Sequence, residues 1–163
     1  MILLIIDVWL SISNSTKPTS RVIFLRCYAN LILCNSYFSK ENIYRAYGKY
    51  PKLAYLGIDI NVFDIMQSVT KQKKRFLSVG HLNSAKGHDF TIQALGLVDN
   101  EIRPSLEIVY NLEDVIYKKY IIDLASTLDV DLILTKSPTD VELLFKYNSA
   151  YILLVARRLE PFG

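Results

Sequence analysis

The chain is poor in cysteine, in histidine and in net charge. Its 163 residues include two cysteines and two histidines, and 19 Lys and Arg against 16 Asp and Glu give a formal net charge of +3. A charge this small does not by itself indicate a nucleic-acid-binding protein. Cys27 and Cys34 form no CxxC pair, so we expect two reduced core thiols rather than a disulfide framework or a zinc site.

Long hydrophobic runs are also absent. The longest, such as Met1–Ile6 and Tyr151–Ala156, are far shorter than the roughly 18 residues of a membrane-spanning helix, so none is expected. The apolar N-terminus lacks a basic flank and a small-residue cleavage site, which favours a buried strand over a signal peptide. We therefore expect a cytoplasmic protein. Hydrophobic residues make up 51% of the chain, a globular composition that excludes disordered, collagen-like and coiled-coil classes.

Short apolar runs alternate with stretches of helical spacing. Most runs are apolar throughout, as in strands covered on both faces of a parallel sheet. The predicted strands are Ile2–Val8, Leu31–Cys34, Lys52–Leu56, Arg75–Val79, Ser105–Tyr110, Asp131–Leu134 and Tyr151–Val155. Helical stripes fall within Ile43–Tyr50, Tyr117–Leu128 and Val141–Phe145, and Thr139 with Glu142 fits a capping box. The pattern predicts an α/β fold with a Rossmann-like parallel sheet and flanking helices.

A change in composition divides the chain in two. Polar residues between Asn61 and Arg75 end in the basic run Lys71–Arg75, and we place a boundary within residues 58–73. The basic run is interpreted as a solvated linker. Contact with an anionic membrane, or with nucleic acid, is the alternative for this run.

The segment Arg75–Leu95 predicts a phosphate-binding turn. A strand ends at Gly80, a polar loop follows, and a helix begins near Lys86 or Gly87, with Phe90, Ala94 and Leu95 as its buried face. Ligands of open α/β sheets bind beyond the carboxyl ends of strands, where free N–H groups at a helix N-terminus and a lysine suit phosphate. The spacing is neither a Walker loop nor GxGxxG. The alternative is an ordinary strand–helix turn with a solvated lysine.

A second candidate segment is Arg157–Gly163. Glu160 follows the last predicted strand, so it belongs to the same edge of the sheet as Lys86. A carboxylate there suits sugar hydroxyls or a developing positive charge, and the alternative is a solvated loop acid. Arg157 and Arg158 are interpreted either as partners of Glu160 or phosphate, or as exposed loop arginines. His81 and His88 lack companions at metal-ligand spacing, and His88 is predicted to be a surface or capping residue.

The ordered set of motifs resembles the retaining nucleotide-sugar glycosyltransferases of the family-4, or group 1, type, which have the GT-B fold. Gly80–Gly87 matches Gly-x-Leu-x-x-x-Lys-Gly, and Glu160–Gly163 reads Glu-Pro-Phe-Gly. Further matches in the family's order are Asn35–Ser36, Tyr55–Asp59 and Leu143–Ala150. The resemblance covers roughly residues 26–163. It implies an N-terminal acceptor-side remnant at 1–57, a linker at 58–73, and an incomplete C-terminal nucleotide-sugar-binding domain at 74–163.

The resemblance also implies a donor site and its chemistry. The donor-binding positions would be Gly80, His81, Lys86, Glu160, Phe162 and Gly163. Glu160 and Lys86 would be catalytic, and His81 stands where the family has an arginine. The donor would be a UDP- or GDP-sugar, the acceptor a glycan or lipid-linked acceptor, and the transfer would retain configuration without a metal or other cofactor.

Partners and location follow from the same resemblance. Peripheral contact with the inner face of the membrane is implied, and no nucleic acid. Because the family's second Glu and most of its acceptor domain are missing, we expect a fragment without activity by itself. The alternative is a non-catalytic Rossmann-like nucleotide-binding or interaction module.

Overall fold

The structure, a computed structural model, describes residues 3–5 and 31–158. The chain forms two compact units that divide between Ile58 and Asp59. Four residues of interest from the sequence lie outside the described residues: Cys27, Glu160, Phe162 and Gly163.

The described part of the first unit is a small parallel sheet with one helix. Its elements are β1 (Leu3–Ile5), β2 (Leu31–Cys34), α1 (Tyr37–Tyr47) and β3 (Lys52–Leu53), with strand order β1-β2-β3. The Ser36 side chain caps α1 by accepting a hydrogen bond from the backbone N–H of Ser39 at 3.0 Å. Ile43 on α1 and Cys34 on β2 are buried in one small core, where burial raises the pKa of the Cys34 thiol.

The second unit is a four-stranded parallel sheet with a helix after each of the first three strands. Its elements are β4 (Gln72–Val79), α2 (His88–Gly96), β5 (Ser105–Tyr110), α3 (Val115–Thr127), β6 (Leu132–Lys136), α4 (Asp140–Ser149) and β7 (Ala150–Leu153). The strand order is β6-β5-β4-β7, and every pairing is parallel. The predicted fold class, an α/β parallel sheet with flanking helices, is therefore confirmed.

One face of this sheet carries the main core. Leu106 and Ile108 of β5 are fully buried there, against Ile92 of α2 and Ile121 of α3. The helical stripe predicted from Tyr117 to Leu128 is confirmed by this packing. Truncating a buried aliphatic side chain of this kind to alanine typically costs about 2–5 kcal/mol.

The other face of the sheet is smaller and contains a buried carboxylate. Leu77, Val109 and Ala150 are buried on it, with Leu143 of α4 packed against them. Glu107 lies in the middle of β5 and its side chain is 3% exposed. Burial penalises a charged carboxylate, so this residue requires partners.

Three neighbouring elements supply partners to Glu107. Thr135 Oγ1 on β6 donates a hydrogen bond at 2.7 Å, Lys146 on α4 donates another, and Arg75 on β4 lies 3.7 Å away. Burial alone would raise the pKa of Glu107, but these hydrogen bonds and charges lower it below its ordinary value. The carboxylate on β5 therefore links α4 to the neighbouring strands β4 and β6.

Three interpretations made from the sequence are wrong in detail. β4 begins at Gln72, so most of the basic run Lys71–Arg75 is strand rather than linker, although residues 71–74 are solvent-exposed as expected. On α2, Phe90 and Ala94 are exposed, while the buried face consists of His88, Asp89, Thr91, Ile92 and Leu95. On α4, Val141 and Phe145 are exposed, and Leu143 packs inward instead.

The predicted capping box of α4 is confirmed. The Thr139 side chain accepts from the backbone N–H of Glu142, and the Glu142 side chain accepts from that of Thr139. Near the other end of α4, Asn148 fixes the segment before β4: its Oδ1 accepts from the backbone N–H of Met66 at 2.9 Å, and its Nδ2 donates to the carbonyl of Asp64 at 3.2 Å. The capping box thus stabilises the start of α4, and Asn148 attaches its end to the segment before β4.

Candidate functional site

The turn after β4 brings Lys86 to the carboxyl edge of the second sheet. β4 ends at Val79, a short 3₁₀ turn spans Ser84–Lys86, and α2 begins at His88. The lysine side chain lies over the backbone of Gly80, since a Cβ built on that glycine would be 3.3 Å from the lysine Cδ. The sequence therefore placed Gly80, His81 and Lys86 correctly in one turn between a strand and a helix.

Gly87 is required by a close approach of two backbones. Its φ is +69°, and a Cβ built on it would lie 1.8 Å from the carbonyl oxygen of Ala156. Left-handed backbone already disfavours residues other than glycine, and no side chain fits in this space. The segment after β7 is thus pressed directly against the turn that carries Lys86.

The ammonium group of Lys86 is perturbed by its surroundings. Its pKa is lowered, first because partial burial penalises the charged form and second because the positive charge of Arg157 acts on it. Two cations from separate loops therefore lie near each other at this edge. Positive charges at one edge of a sheet attract anions.

His88 is a buried histidine, which corrects the prediction of a surface or capping residue. It is 1% exposed. Its Nε2 lies 3.2 Å from the carbonyl oxygen of His81, and its Nδ1 lies 3.2 Å from Oγ of Ser78. A carbonyl only accepts, so we assign the proton to Nε2, and Ser78 donates to Nδ1. Burial lowers the pKa of His88, and the neutral ring braces the backbone of the turn.

An ion pair that sequence reasoning missed fastens the two loops together. The Arg158 guanidinium donates to both carboxylate oxygens of Asp89, at 3.0 and 2.6 Å. Its Cζ atom lies over the Phe90 ring, 4.0 Å from the ring centre. The guanidinium also donates to the carbonyl of Ser84. Burial would raise the pKa of Asp89, but the bonds from Arg158 and Tyr117 lower it.

Tyr117 on α3 completes this pair. Its hydroxyl donates to Oδ1 of Asp89 at 2.9 Å and accepts from the backbone N–H of Asp89 at 3.1 Å. One N–H of the first turn of α2 is therefore occupied, and that of Phe90 bonds to the carbonyl of Gly87 at 3.0 Å. The expectation of free N–H groups at this helix end is therefore wrong for Asp89 and Phe90. The charged side chains are then the main attraction for an anion.

The loops after β5 and β6 are joined by a second charged group. Glu113 accepts from Lys118 at 2.9 Å and from Lys136 at 2.8 Å. These two bonds lower the pKa of Glu113 to about 2. Next to Lys136, the backbone N–H of Ser137 donates to the carbonyl of Tyr110 at 2.7 Å. These bonds connect the carboxyl ends of the neighbouring strands β5 and β6.

A groove lies beside this edge, along α4. Its volume is about 470 Å³. The residues that line it include Met66, Pro138, Val141, Phe145 and Lys146. Its walls are largely apolar, and Lys146 already pairs with Glu107.

Metal-ligand clusters and membrane-spanning helices are both absent from the described residues, 3–5 and 31–158. Within them, no group of three or more His, Cys, Asp or Glu side chains is arranged to hold a metal ion. None of the helices described there has the length and apolar character needed to cross a membrane.

The structure describes only part of the site that the sequence predicts. Gly80, His81 and Lys86 share the turn, whereas the roles predicted for Glu160, Phe162 and Gly163 lie outside the described residues. Asp89 was missed although it stands three residues after Lys86, in the first turn of a helix where acids are common. Its partner Arg158 is 69 positions away, and no local pattern reveals such a pair.

The chain was compared with families of known proteins and with solved structures. No family model and no curated protein matches it. Solved structures do match. A glycosyltransferase from Rickettsia africae ESF-5 is similar at 14% identity and a TM-score of 0.68, over 86% of this chain and 42% of that one.

Two other solved structures are similar. Anabaena Alr3699/HepE, in complex with UDP and glucose, aligns at 22% identity and a TM-score of 0.72, over 88% of this chain and 42% of its own. WaaG, a glycosyltransferase involved in lipopolysaccharide biosynthesis, aligns at 19% identity and a TM-score of 0.66, over 80% and 39%.

The chain thus spans about two fifths of the length of the solved structures that it matches. The first two alignments each cover more than four fifths of this chain. At these identities the likeness establishes the fold alone: the chain has the α/β architecture found in part of these three structures.

Proposed function

We propose that this chain is the donor-binding part of a glycosyltransferase, which transfers a sugar from a nucleoside-diphosphate sugar to an acceptor. The donor would bind at the carboxyl edge of the second sheet, with its diphosphate beside Lys86. Open α/β sheets bind ligands at this edge, and the three similar structures are glycosyltransferases or, for HepE, a complex with UDP and glucose.

The observation that carries the proposal is the contact between the turn of Lys86 and the segment after β7. The Gly87 backbone meets that of Ala156, and Arg158 binds Asp89. These contacts place cationic side chains from two loops at one edge of the sheet. A diphosphate leaving group carries two adjacent negative charges, and fixed cations stabilise it as its bond to the sugar breaks.

The remaining chemistry is proposed from the family resemblance. The transfer would retain configuration by front-face attack and would need no metal. Lys86 would stabilise the departing diphosphate, and Glu160, with the backbone N–H groups of Phe162 and Gly163, would face the donor sugar. The acceptor would be a glycan or a lipid-linked glycan, reached at the inner face of the membrane.

A thermal-shift titration with UDP, GDP and ADP tests this proposal. A ligand that binds only the folded state raises its stability by RT ln(1 + [L]/Kd), about 2.7 kcal/mol at 100 Kd. For a chain of this size that corresponds to a rise in Tm of about 5–10 °C. We expect the rise with one nucleotide, its loss in Lys86→Ala, and its survival in Lys119→Ala, which removes an exposed lysine from α3.

One observation favours a second function, that of a non-catalytic nucleotide-binding module. His81 stands where the resembling family has an arginine, and an imidazole offers neither a permanent charge nor a two-pronged donor. Incubation with UDP- and GDP-sugars separates the two functions. Release of UDP or GDP that depends on Lys86 supports transfer chemistry, while binding without release supports the module.

A further inference from the structure

Arg157 is fixed between two backbone contacts to the turn of Lys86. The residue before it, Ala156, places its carbonyl against Gly87. The residue after it, Arg158, donates its backbone N–H to the carbonyl of Ala85 at 3.1 Å. The backbone of Arg157 therefore runs directly alongside the 3₁₀ turn that ends at Lys86.

Arg158 and Asp89 form a latch that maintains this placement. The guanidinium and the carboxylate bind through two parallel hydrogen bonds, a geometry that restricts orientation as well as distance. The Tyr117 hydroxyl donates to the same carboxylate at 2.9 Å. The Arg158 guanidinium compensates the negative charge of Asp89 within the latch.

The latch keeps Arg157 on the same edge of the sheet as Lys86. Arg157 is near enough to lower the pKa of Lys86. A guanidinium and an ammonium on one edge of a sheet both attract a phosphate group. A diphosphate fits the pair well, because a guanidinium binds phosphate oxygens in pairs and an ammonium acts as a compact point charge.

We propose that Arg157 binds the diphosphate together with Lys86, and that the Asp89–Arg158 latch positions it to do so. Arg157 supplies the second cation of the site, on the opposite loop from His81. This inference rests on the proposed function, since it assumes that the edge of the second sheet accepts a diphosphate.

Calorimetric titration with inorganic pyrophosphate and with UDP, at fixed ionic strength, tests the inference. A charged hydrogen bond is worth enough that Arg157→Gln should weaken both ligands about 10- to 100-fold. Arg157→Lys should recover part of the loss because it restores the charge. Arg45→Gln is the matched control: it removes an exposed arginine of the first unit and should leave the affinity within about twofold.

The latch has its own test, in which charge and position predict opposite results. Asp89→Asn removes a negative charge near the site, so a long-range charge effect alone would strengthen pyrophosphate binding. Loss of the latch would instead weaken it, and we expect a decrease of about 10-fold. Unchanged or tighter binding in folded Asp89→Asn would overturn the positioning role.

The outcomes separate this inference from the proposed function. If Lys86→Ala loses pyrophosphate and UDP while Arg157→Gln binds them as the wild type does, the inference is overturned and the proposed function remains. If the wild-type chain binds neither ligand, both are overturned. Weakening in Arg157→Gln with an unchanged Tm supports the inference, because a merely structural arginine would lower the Tm.

Discussion

The carbonyl oxygen of Ala156 occupies the space where a side chain on Gly87 would begin. The distance from that oxygen to a Cβ built on Gly87 is 1.8 Å, and the φ of Gly87 is +69°. Both facts exclude any other residue from this position without movement of the backbone. The glycine after Lys86 therefore serves the contact between two loops, and through it the shape of the proposed donor site.

Gly87→Ala tests this contact. The substitution should destabilise the chain by about 2–4 kcal/mol, because it adds the strain of left-handed backbone to a clash with Ala156. Urea denaturation followed by circular dichroism measures the change. Gly57→Ala is the control, since a Cβ there meets no atom within 4 Å. Equal free energies of unfolding for the two variants would contradict the close approach.

His88 predicts a loss of stability in mild acid. Burial lowers its pKa below 6.5 in the folded chain, so the unfolded chain binds more protons as the pH falls below 6.5. The contribution of this residue to stability is complete above that pH and decreases as the pH falls toward the folded pKa. Unfolding free energies measured between about pH 7.5 and about pH 5 should show this slope.

The control for His88 is a variant that cannot titrate. His88→Gln should lower stability at neutral pH, because it disturbs the bonds to Ser78 and to the His81 carbonyl, but it should flatten the slope between about pH 6.5 and about pH 5. The same slope in wild type and variant would assign the acid sensitivity to other groups.

Tyr117 predicts a change at the alkaline end. Its pKa is raised to about 12, first by burial, and also by its bond to the Asp89 carboxylate. A folded pKa above the unfolded value of 10 means that stability is complete below pH 10 and is lost as the pH rises from 10 to about 12. Burial also raises the pKa of Tyr147, so absorbance titration at the wavelength of tyrosinate should find more than one late tyrosine, and Tyr117→Phe should remove the one whose pKa is about 12.

Tyr117→Phe should also cost stability at neutral pH. It leaves a carboxylate oxygen and the N–H of Asp89 without the hydroxyl, which we expect to cost about 1–2 kcal/mol. Tyr120→Phe is the matched control, because Tyr120 is 45% exposed on the same helix. If the two variants unfold at the same denaturant concentration, the hydroxyl of Tyr117 does not support the latch.

Glu107 predicts the effect of breaking a buried charged cluster. Glu107→Gln leaves Lys146 and Arg75 facing a neutral side chain, and removing one partner of a buried pair is costly. We expect a loss of about 2–4 kcal/mol by urea denaturation, below the usual maximum because both cations reach solvent. A neutral result would show that the cluster does not anchor α4.

The sequence predicted the sheet well for a physical reason. Runs such as Leu31–Cys34 and Ser105–Tyr110 are rich in apolar residues, as is typical of central strands in parallel sheets, and both were predicted with their observed bounds. The capping box of Thr139 and Glu142 was equally readable, since its partners are three residues apart. Local spacing carries this information directly.

The orientation of α2 could not be predicted in the same way. His88 is polar, so the sequence analysis placed it at the surface, and it placed Phe90 inside. The structure reverses this because His88 bonds to the turn before it, and because Arg158 covers both the Asp89 carboxylate and the Phe90 ring. The contacts of Arg158 come from the segment after β7, and the spacing of apolar residues within α2 gives no information about that segment.

A crystal structure of the chain soaked with UDP tests the central claim most directly. We predict the diphosphate beyond the end of β4, with a phosphate oxygen within about 3 Å of Nζ of Lys86. The same soak of Lys86→Ala should show weaker density at that position. UDP bound instead in the groove along α4, or bound nowhere at a saturating concentration, would contradict the donor site proposed at this edge of the sheet.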